Sequence, residues 1–150
     1  MKHDTNKLMS FSLKLVKEKH IRFSSACINN KQVAAKALSA YIGNKDCEHL
    51  AVLMVDSQNN LIGLATVAIG GIVGLQCSMR DIFKTAIISN AKGIILGHNH
   101  PSGNVNPSKE DIAFTESVKS GGKFLGIDLI DHVIVSVNGD IYSFLDNGLI

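Results

Sequence analysis

The residues best suited to chemistry lie in one stretch, residues 97–111, which reads GHNHPSGNVNPSKED. His98 and His100 are two positions apart at the end of an apolar run, so on a β-strand both side chains emerge on the same face. Two adjacent imidazoles are a common beginning of a zinc site. Asp111 falls in the first turn of the next predicted helix, where the helix dipole favours an anion and where a carboxylate can return to the histidines as an oxygen ligand.

Three protein ligands leave one tetrahedral position for water, which is typical of catalytic rather than structural zinc. Zinc lowers the pKa of such a water to about 7. The chemistry also needs a proton acceptor and a donor to the developing oxyanion. Ser108, three residues before Asp111, is a candidate for that donor. Glu48 on a neighbouring strand could be the acceptor, although nothing in the sequence itself distinguishes it from the other twelve acidic residues.

Each of these residues also has a purely structural interpretation. An HxH pair can simply be two polar residues hydrogen-bonded at a strand exit, and Ser-x-x-Asp is also a capping box. If Asn106 is the N-cap and Pro107 occupies N1, Asp111 falls at N5 and is free to bind a metal. If Ser108 is the N-cap instead, its hydroxyl is occupied.

The elements that must position these residues can be predicted from hydrophobic periodicity and turn residues. Apolar spacing predicts three helices. The first covers 31–42 and is ended by Gly43, the second runs from Ser78 until Gly93 stops it, and the third covers 108–120 and is stopped by Gly121–Gly122. Two hairpins are predicted, one from the strands 48–55 and 61–69, the other from 127–137 and 141–144 around a type I′ turn at Asn138–Gly139. Further strands are predicted over 72–76 and 94–98, with one or two more in 11–28. Gly103 is expected to supply a positive φ in the turn between the ligands.

Composition describes an ordinary globular chain of one domain. The 150 residues are 45% hydrophobic and 19% charged with a net charge of +2, no apolar run is long enough for a membrane span, and the amino-terminal residues do not form a secretory signal. Three scattered cysteines, Cys27, Cys47 and Cys77, favour reduced thiols and a cytoplasmic location. Residues 1–30 hold six basic and two acidic side chains, a net of +4, which predicts a solvated lead-in or, as the alternative, a nucleic-acid contact.

The pattern His98-x-His100, seven residues, Ser108, two residues, Asp111 matches the JAMM motif of the MPN-domain metalloproteases. The longer run HNHPSG…PS.ED.A.T resembles the RadC branch of that superfamily, and similarity extends from about Val33 to the carboxyl terminus. It includes EHL.VL..D..N.LIG from Glu48, the SMRDIFKTAI helix, and FLGIDLIDHVIVS from Phe124.

The resemblance implies an α/β fold, an MPN/JAMM-like (cytidine-deaminase-like) mixed β-sheet flanked by helices, formed by a single domain over residues 31–150. It implies one Zn²⁺ per chain on His98, His100 and Asp111, with Glu48 as general base and Ser108 steadying the tetrahedral intermediate. The implied function is a zinc metallopeptidase or isopeptidase acting on a peptide or protein. The alternative is a DNA-repair-associated accessory protein with a structural or vestigial metal site.

Similar sequences also carry an Asp-His pair like Asp131–His132. His132 could be a hydrogen-bond partner of a zinc ligand, or equally a structural histidine with its ring nitrogens satisfied. His49 is expected to face away from Glu48, since neighbouring strand residues point to opposite faces.

Overall fold

The computed structural model describes residues 9–10, 12–18, 20, 31–70 and 77–150. The described residues form three α-helices and five β-strands, in the order α1 (Lys31–Ile42), β1 (His49–Val55), β2 (Leu61–Ile69), α2 (Met79–Ile88), β3 (Gly93–His100), α3 (Lys109–Leu125), β4 (Asp128–Ser136) and β5 (Ile141–Ser143). The predicted α/β class, a mixed sheet flanked by helices, is confirmed.

All five strands belong to one sheet, in the order β2-β1-β3-β4-β5. Neighbouring strands are antiparallel except β3 and β4, which are parallel. Parallel neighbours need a long crossover, and α3 provides it. The end of β3 therefore lies next to the start of α3, which brings the two parts of the HxH…SxxD stretch together.

Helices cover both faces of the central strands, so the domain has three layers. Alternate residues of β1 and β3 face α1 on one side, and the intervening residues face α2 and α3 on the other. Gly97 sets how close α1 comes to the sheet, because a Cβ there would lie 2.5 Å from Cδ2 of Leu38, a fully buried residue of α1.

Two predicted helix ends are wrong, and both errors involve glycine. Helix α2 ends at Ile88 with Ser89 as its C-cap, and Gly93 is the first residue of β3. Helix α3 continues through Gly121 and Gly122 to a left-handed C-cap at Gly126, φ 71°. Gly122 is needed for close packing instead, since a Cβ there would lie 2.3 Å from the carbonyl oxygen of Ile127.

The predicted turns lie where expected, but the β4–β5 turn is not of the predicted type. Gly103 has the expected positive φ, 86°. Gly139 also has φ 86°, but Asn138 is outside the positive range, so the β4–β5 turn is not type I′, which needs positive φ at both central residues. Helix α1 ends before Gly43 as predicted, although Gly43 has no positive φ and donates its amide to the Ser39 carbonyl at 2.9 Å.

Several predictions fall mainly outside the described residues. Residues 12–18 adopt neither helix nor strand, and the rest of the predicted 11–28 strands lies beyond the described part of the chain. The same holds for the predicted strand at 72–76, for Cys27, and for most of the basic lead-in, so a nucleic-acid contact there stays a prediction.

Cys47 and Cys77 are free and half-buried. Within the described residues, no helix is long and apolar enough to cross a membrane.

Candidate metal centre

Three side chains that can bind a metal converge where β3 ends and α3 begins. Nε2 of His98 lies 2.9 Å from Nε2 of His100 and 3.4 Å from Oδ1 of Asp111, and Nε2 of His100 lies 3.9 Å from Oδ2 of Asp111. The side chain of His98 is 5% exposed and that of Asp111 23%, so the cluster is sheltered but reachable from solvent. These residues could hold a metal ion, and they are the ones that the spacing predicts.

The ring of His100 is fixed by the turn that follows β3. Its Nδ1 lies 2.6 Å from the carbonyl oxygen of Asn104. A carbonyl can only accept, so Nδ1 of His100 carries the hydrogen and donates it. In the neutral imidazole, Nε2 then presents its lone pair to the centre, as a metal ligand must.

The ring of His98 is the most deeply buried of the three ligand candidates. Burial lowers the pKa of His98 to about 4; the nearby Asp111 carboxylate acts in the opposite direction, and His100 lowers it further. His98 is therefore uncharged at neutral pH. Neutral imidazole is the form that binds transition metals, so no proton has to be displaced from a charged ring.

Asp111 caps α3 and also belongs to the cluster that could hold a metal ion. Of the two alternatives, the structure has Ser108 and not Asn106 as the N-cap of α3, and Asp111 occupies N3 in a capping box. Oδ2 of Asp111 accepts from the Ser108 amide at 2.8 Å and from the Ser108 hydroxyl at 2.6 Å, while Oδ1 faces His98. Because a carboxylate has two oxygens, capping with one leaves the other for a metal.

Capping occupies the hydroxyl of Ser108. Oγ accepts from the Asp111 amide at 3.0 Å and donates its only hydrogen to Oδ2 of Asp111. An oxyanion role for Ser108 requires that hydrogen to leave Asp111. In the arrangement seen, Ser108 orients the carboxylate.

Glu48 is half-buried and lies immediately before β1, which begins one residue later than predicted. Leu50 is opposite His98 in the antiparallel register, and continuing that register by two residues places Glu48 opposite His100. Among the described residues, the Glu48 carboxylate has no hydrogen-bond or ion-pair partner. His49 is on the other face, as expected, with its Nδ1 3.0 Å from the Cys47 carbonyl oxygen.

Asn99, between the two histidines, is a residue that sequence reasoning missed. It is 1% exposed; its Oδ1 accepts from the His49 amide at 2.7 Å, and its Nδ2 donates to the carbonyl oxygens of Lys45 and Cys47 at 3.3 and 3.0 Å. Asn99 thus fixes the segment on either side of Glu48. The available signal was an amide side chain between the two histidines, which on a strand faces the opposite side of the sheet from them.

The Asp131–His132 pair divides into two unrelated roles. Nε2 of His132 lies 2.8 Å from Nδ1 of His98, and burial, above all, lowers the pKa of His132 well below its usual range. The Asp131 carboxylate instead accepts from the backbone amides of His132 and Leu145 and from the hydroxyl of Ser143. His132 therefore contacts a metal-ligand candidate, whereas Asp131 ties β4 to the chain around β5.

A mixed sheet between helices, with this cluster at the end of a central strand, defines a JAB/MPN-like α/β domain. The chain belongs to the RadC-like JAB domain family, because its residues 28–149 match the model of that family.

Similar proteins occur in distant organisms. The chain is 44% identical over 116 residues to a protein of Cyanothece, covering 77% of this chain and 47% of that protein. It is 46% identical over 101 residues to a protein of Thermotoga maritima, with 67% and 45% covered, and 43% identical over 103 residues to one of Methanococcoides burtonii, with 69% and 44% covered. All three carry only the name UPF0758 protein. The chain spans about half the length of these relatives.

Proposed function

We propose that this protein is a zinc-dependent hydrolase of amide bonds, a metallopeptidase or isopeptidase acting on a peptide or protein. The observation that carries the proposal is the convergence of Nε2 of His98, Nε2 of His100 and a carboxylate oxygen of Asp111 on one point. Two imidazoles and one carboxylate are a donor set typical of catalytic zinc.

The distances between the donor atoms are compatible with a tetrahedral ion of the size of zinc. With zinc–ligand bonds of about 2.0–2.1 Å, donor atoms in a tetrahedron lie roughly 3.3 Å apart. The separations of 2.9 Å between the imidazole nitrogens and 3.4 Å between His98 and Asp111 bracket that value, and the third, 3.9 Å between His100 and Asp111, is longer. Because three side chains supply the donors, a fourth position is left for the reacting groups.

A zinc ion held there would act as a Lewis acid and lower the pKa of a bound water to about 7. The chain's own residues supply the rest of the chemistry. Glu48 lies just before β1, opposite His100 in the continued register, and its carboxylate has no partner among the described residues. As general base it would accept a proton from the attacking water and pass it to the leaving amine. Ser108 would orient Asp111 and, if its hydrogen leaves that carboxylate, donate to the oxyanion.

The test compares the zinc-loaded protein with Glu48→Gln on a mixture of peptides and ε-amino-linked isopeptides, followed by mass spectrometry. Glu48→Gln should retain one zinc per chain and cleave about 100- to 10,000-fold more slowly, the usual contribution of a general base. Glu116→Gln, an exposed position on α3, is the matched control and should cleave like the unmodified protein. Equal cleavage by Glu48→Gln, or zinc well below one per chain in every preparation, would overturn the proposal.

A further inference from the structure

Behind the candidate metal centre, a chain of buried hydrogen bonds joins His98 back to the helix that carries Asp111. Nδ1 of His98 lies 2.8 Å from Nε2 of His132, and Nδ1 of His132 lies 2.6 Å from Oγ1 of Thr115. The Thr115 hydroxyl in turn donates to the carbonyl oxygen of Asp111 at 2.6 Å. His132 and Thr115 are each 1% exposed, so water does not compete for these bonds.

The hydrogens in this chain can be assigned from one end. The Asp111 carbonyl only accepts, so it takes the single hydroxyl hydrogen of Thr115, and Oγ1 of Thr115 must then accept from Nδ1 of His132. Neutral His132 has one ring hydrogen, so its Nε2 accepts, and Nδ1 of His98 donates to it. His98 is left with an unprotonated Nε2 aimed at the centre.

The reverse order of hydrogens would disable the centre. If Thr115 turned its hydrogen to His132, the hydrogen of His132 would move to Nε2 and point at Nδ1 of His98. His98 would then carry its own hydrogen on Nε2, 2.9 Å from Nε2 of His100. A nitrogen that carries a hydrogen in the direction of the metal cannot bind it, so only one order of hydrogens permits metal binding.

The ring of His132 is held in place by packing as well as by hydrogen bonds. It stacks on Phe144 with ring centroids 4.5 Å apart and an 18° angle between the planes. Thr115 lies one helical turn after Asp111 in α3. The same helix therefore supplies one ligand candidate directly and sets the tautomer of another through His132.

We propose that Thr115 and His132 are positioning residues that hold His98 in its metal-binding tautomer. The proposal rests on the metal centre proposed above. Partners behind a metal ligand typically contribute 10- to 100-fold to metal affinity. Zinc affinity, not the chemistry of cleavage, is the property that these residues should govern.

The first test measures zinc affinity by competition with a chromophoric chelator. Thr115→Val keeps the shape but removes the hydroxyl and should weaken zinc binding about 10- to 100-fold; Thr115→Ser restores the hydroxyl and should bind within a few fold of the unmodified protein. Thr66→Val is the matched control, because Thr66 lies on the remote strand β2 and its hydroxyl donates to the hydroxyl of Tyr41 in α1. A folded Thr115→Val protein that binds zinc as tightly as the control would overturn the proposal.

The second test reads the tautomer itself in the metal-free, unmodified protein, through the ¹⁵N chemical shifts of the His98 ring. We expect the hydrogen on Nδ1 of His98, and a shift of population towards Nε2 in Thr115→Val. A hydrogen on Nε2 in the unmodified protein would refute the proposal even if every variant failed to fold. This readout does not depend on catalysis, so the tautomer proposal can fail while the proposed hydrolase stands, and the reverse.

Discussion

Nδ1 of His98 and Nε2 of His132 are 2.8 Å apart, although the residues are 34 positions apart in sequence. They meet because of an irregularity in β4. Ile94 pairs with Leu129 but Ile95 pairs with Asp131, so Ile130 is an extra residue in the strand. One inserted residue reverses which face each later side chain occupies. His132 thereby points to the face of His98 instead of the α1 face.

Replacing Asp111 should affect zinc binding, whereas replacing its capping partner Ser108 should affect stability. Asp111→Asn removes the charge and should abolish stoichiometric zinc binding, because the carboxylate is a ligand in the proposed centre. Ser108→Ala removes the N-cap hydroxyl and should lower the free energy of unfolding of the metal-free protein by about 1 kcal/mol. Chelator competition and urea denaturation measure the two effects.

Asp128→Asn is the control for Asp111→Asn. Asp128 is exposed and paired with Lys92 at 3.1 Å, outside the cluster. Zinc binding by Asp111→Asn equal to that of this control would contradict the ligand assignment.

Asn99→Ala should destabilise the segment next to Glu48. The substitution removes the acceptor of the buried His49 amide, which costs about 1–3 kcal/mol when a buried donor is left unsatisfied. Urea denaturation should show that loss, and hydrogen exchange of residues 45–49 should accelerate. Zinc content should stay at one per chain, because Asn99 does not belong to the cluster. Unchanged stability and exchange would show that Asn99 does not fix this segment.

The two glycines inside α3 should differ sharply when replaced by alanine. Alanine is favoured over glycine in a helix by about 1 kcal/mol, but at Gly122 its Cβ would lie 2.3 Å from the backbone oxygen of Ile127. Gly122→Ala should therefore lose about 1–3 kcal/mol of stability through overpacking. Gly121→Ala meets only the Phe83 side chain, at 3.1 Å, and should be close to neutral. Equal thermal unfolding of the two variants would contradict this account of why the helix contains glycine.

Much of the fold was predictable because local signals determined it. The 61–69 strand and the 31–42 helix match the predicted bounds, since periodicity and turn residues agree there. The prediction that α3 stops at Gly121–Gly122 was wrong because glycine serves both to end helices and to permit close packing. Only tertiary contacts decide between these two roles. Similarly, no local signal marks Ile130 as a bulge, so the face on which His132 lies could not be predicted.

The candidate site was predictable to the extent that its residues are close in sequence. His98, His100 and Asp111 lie within one strand-turn-helix unit, so spacing indicated the cluster, and the family resemblance favoured a metal role for Asp111 over capping alone. Glu48 comes from another strand, and only the family resemblance distinguished it from the other carboxylates. The spacing also could not reveal that the oxygens of Asp111 divide between capping and the centre, because that depends on carboxylate orientation.

The most direct measurement is an anomalous difference map at the zinc absorption edge, from crystals of the protein grown with zinc. We predict one peak per chain about 2.0–2.2 Å from Nε2 of His98, Nε2 of His100 and a carboxylate oxygen of Asp111, with no fourth protein ligand. The absence of a peak at this cluster, or a peak whose fourth position is filled by a protein side chain, would contradict the proposed catalytic zinc centre.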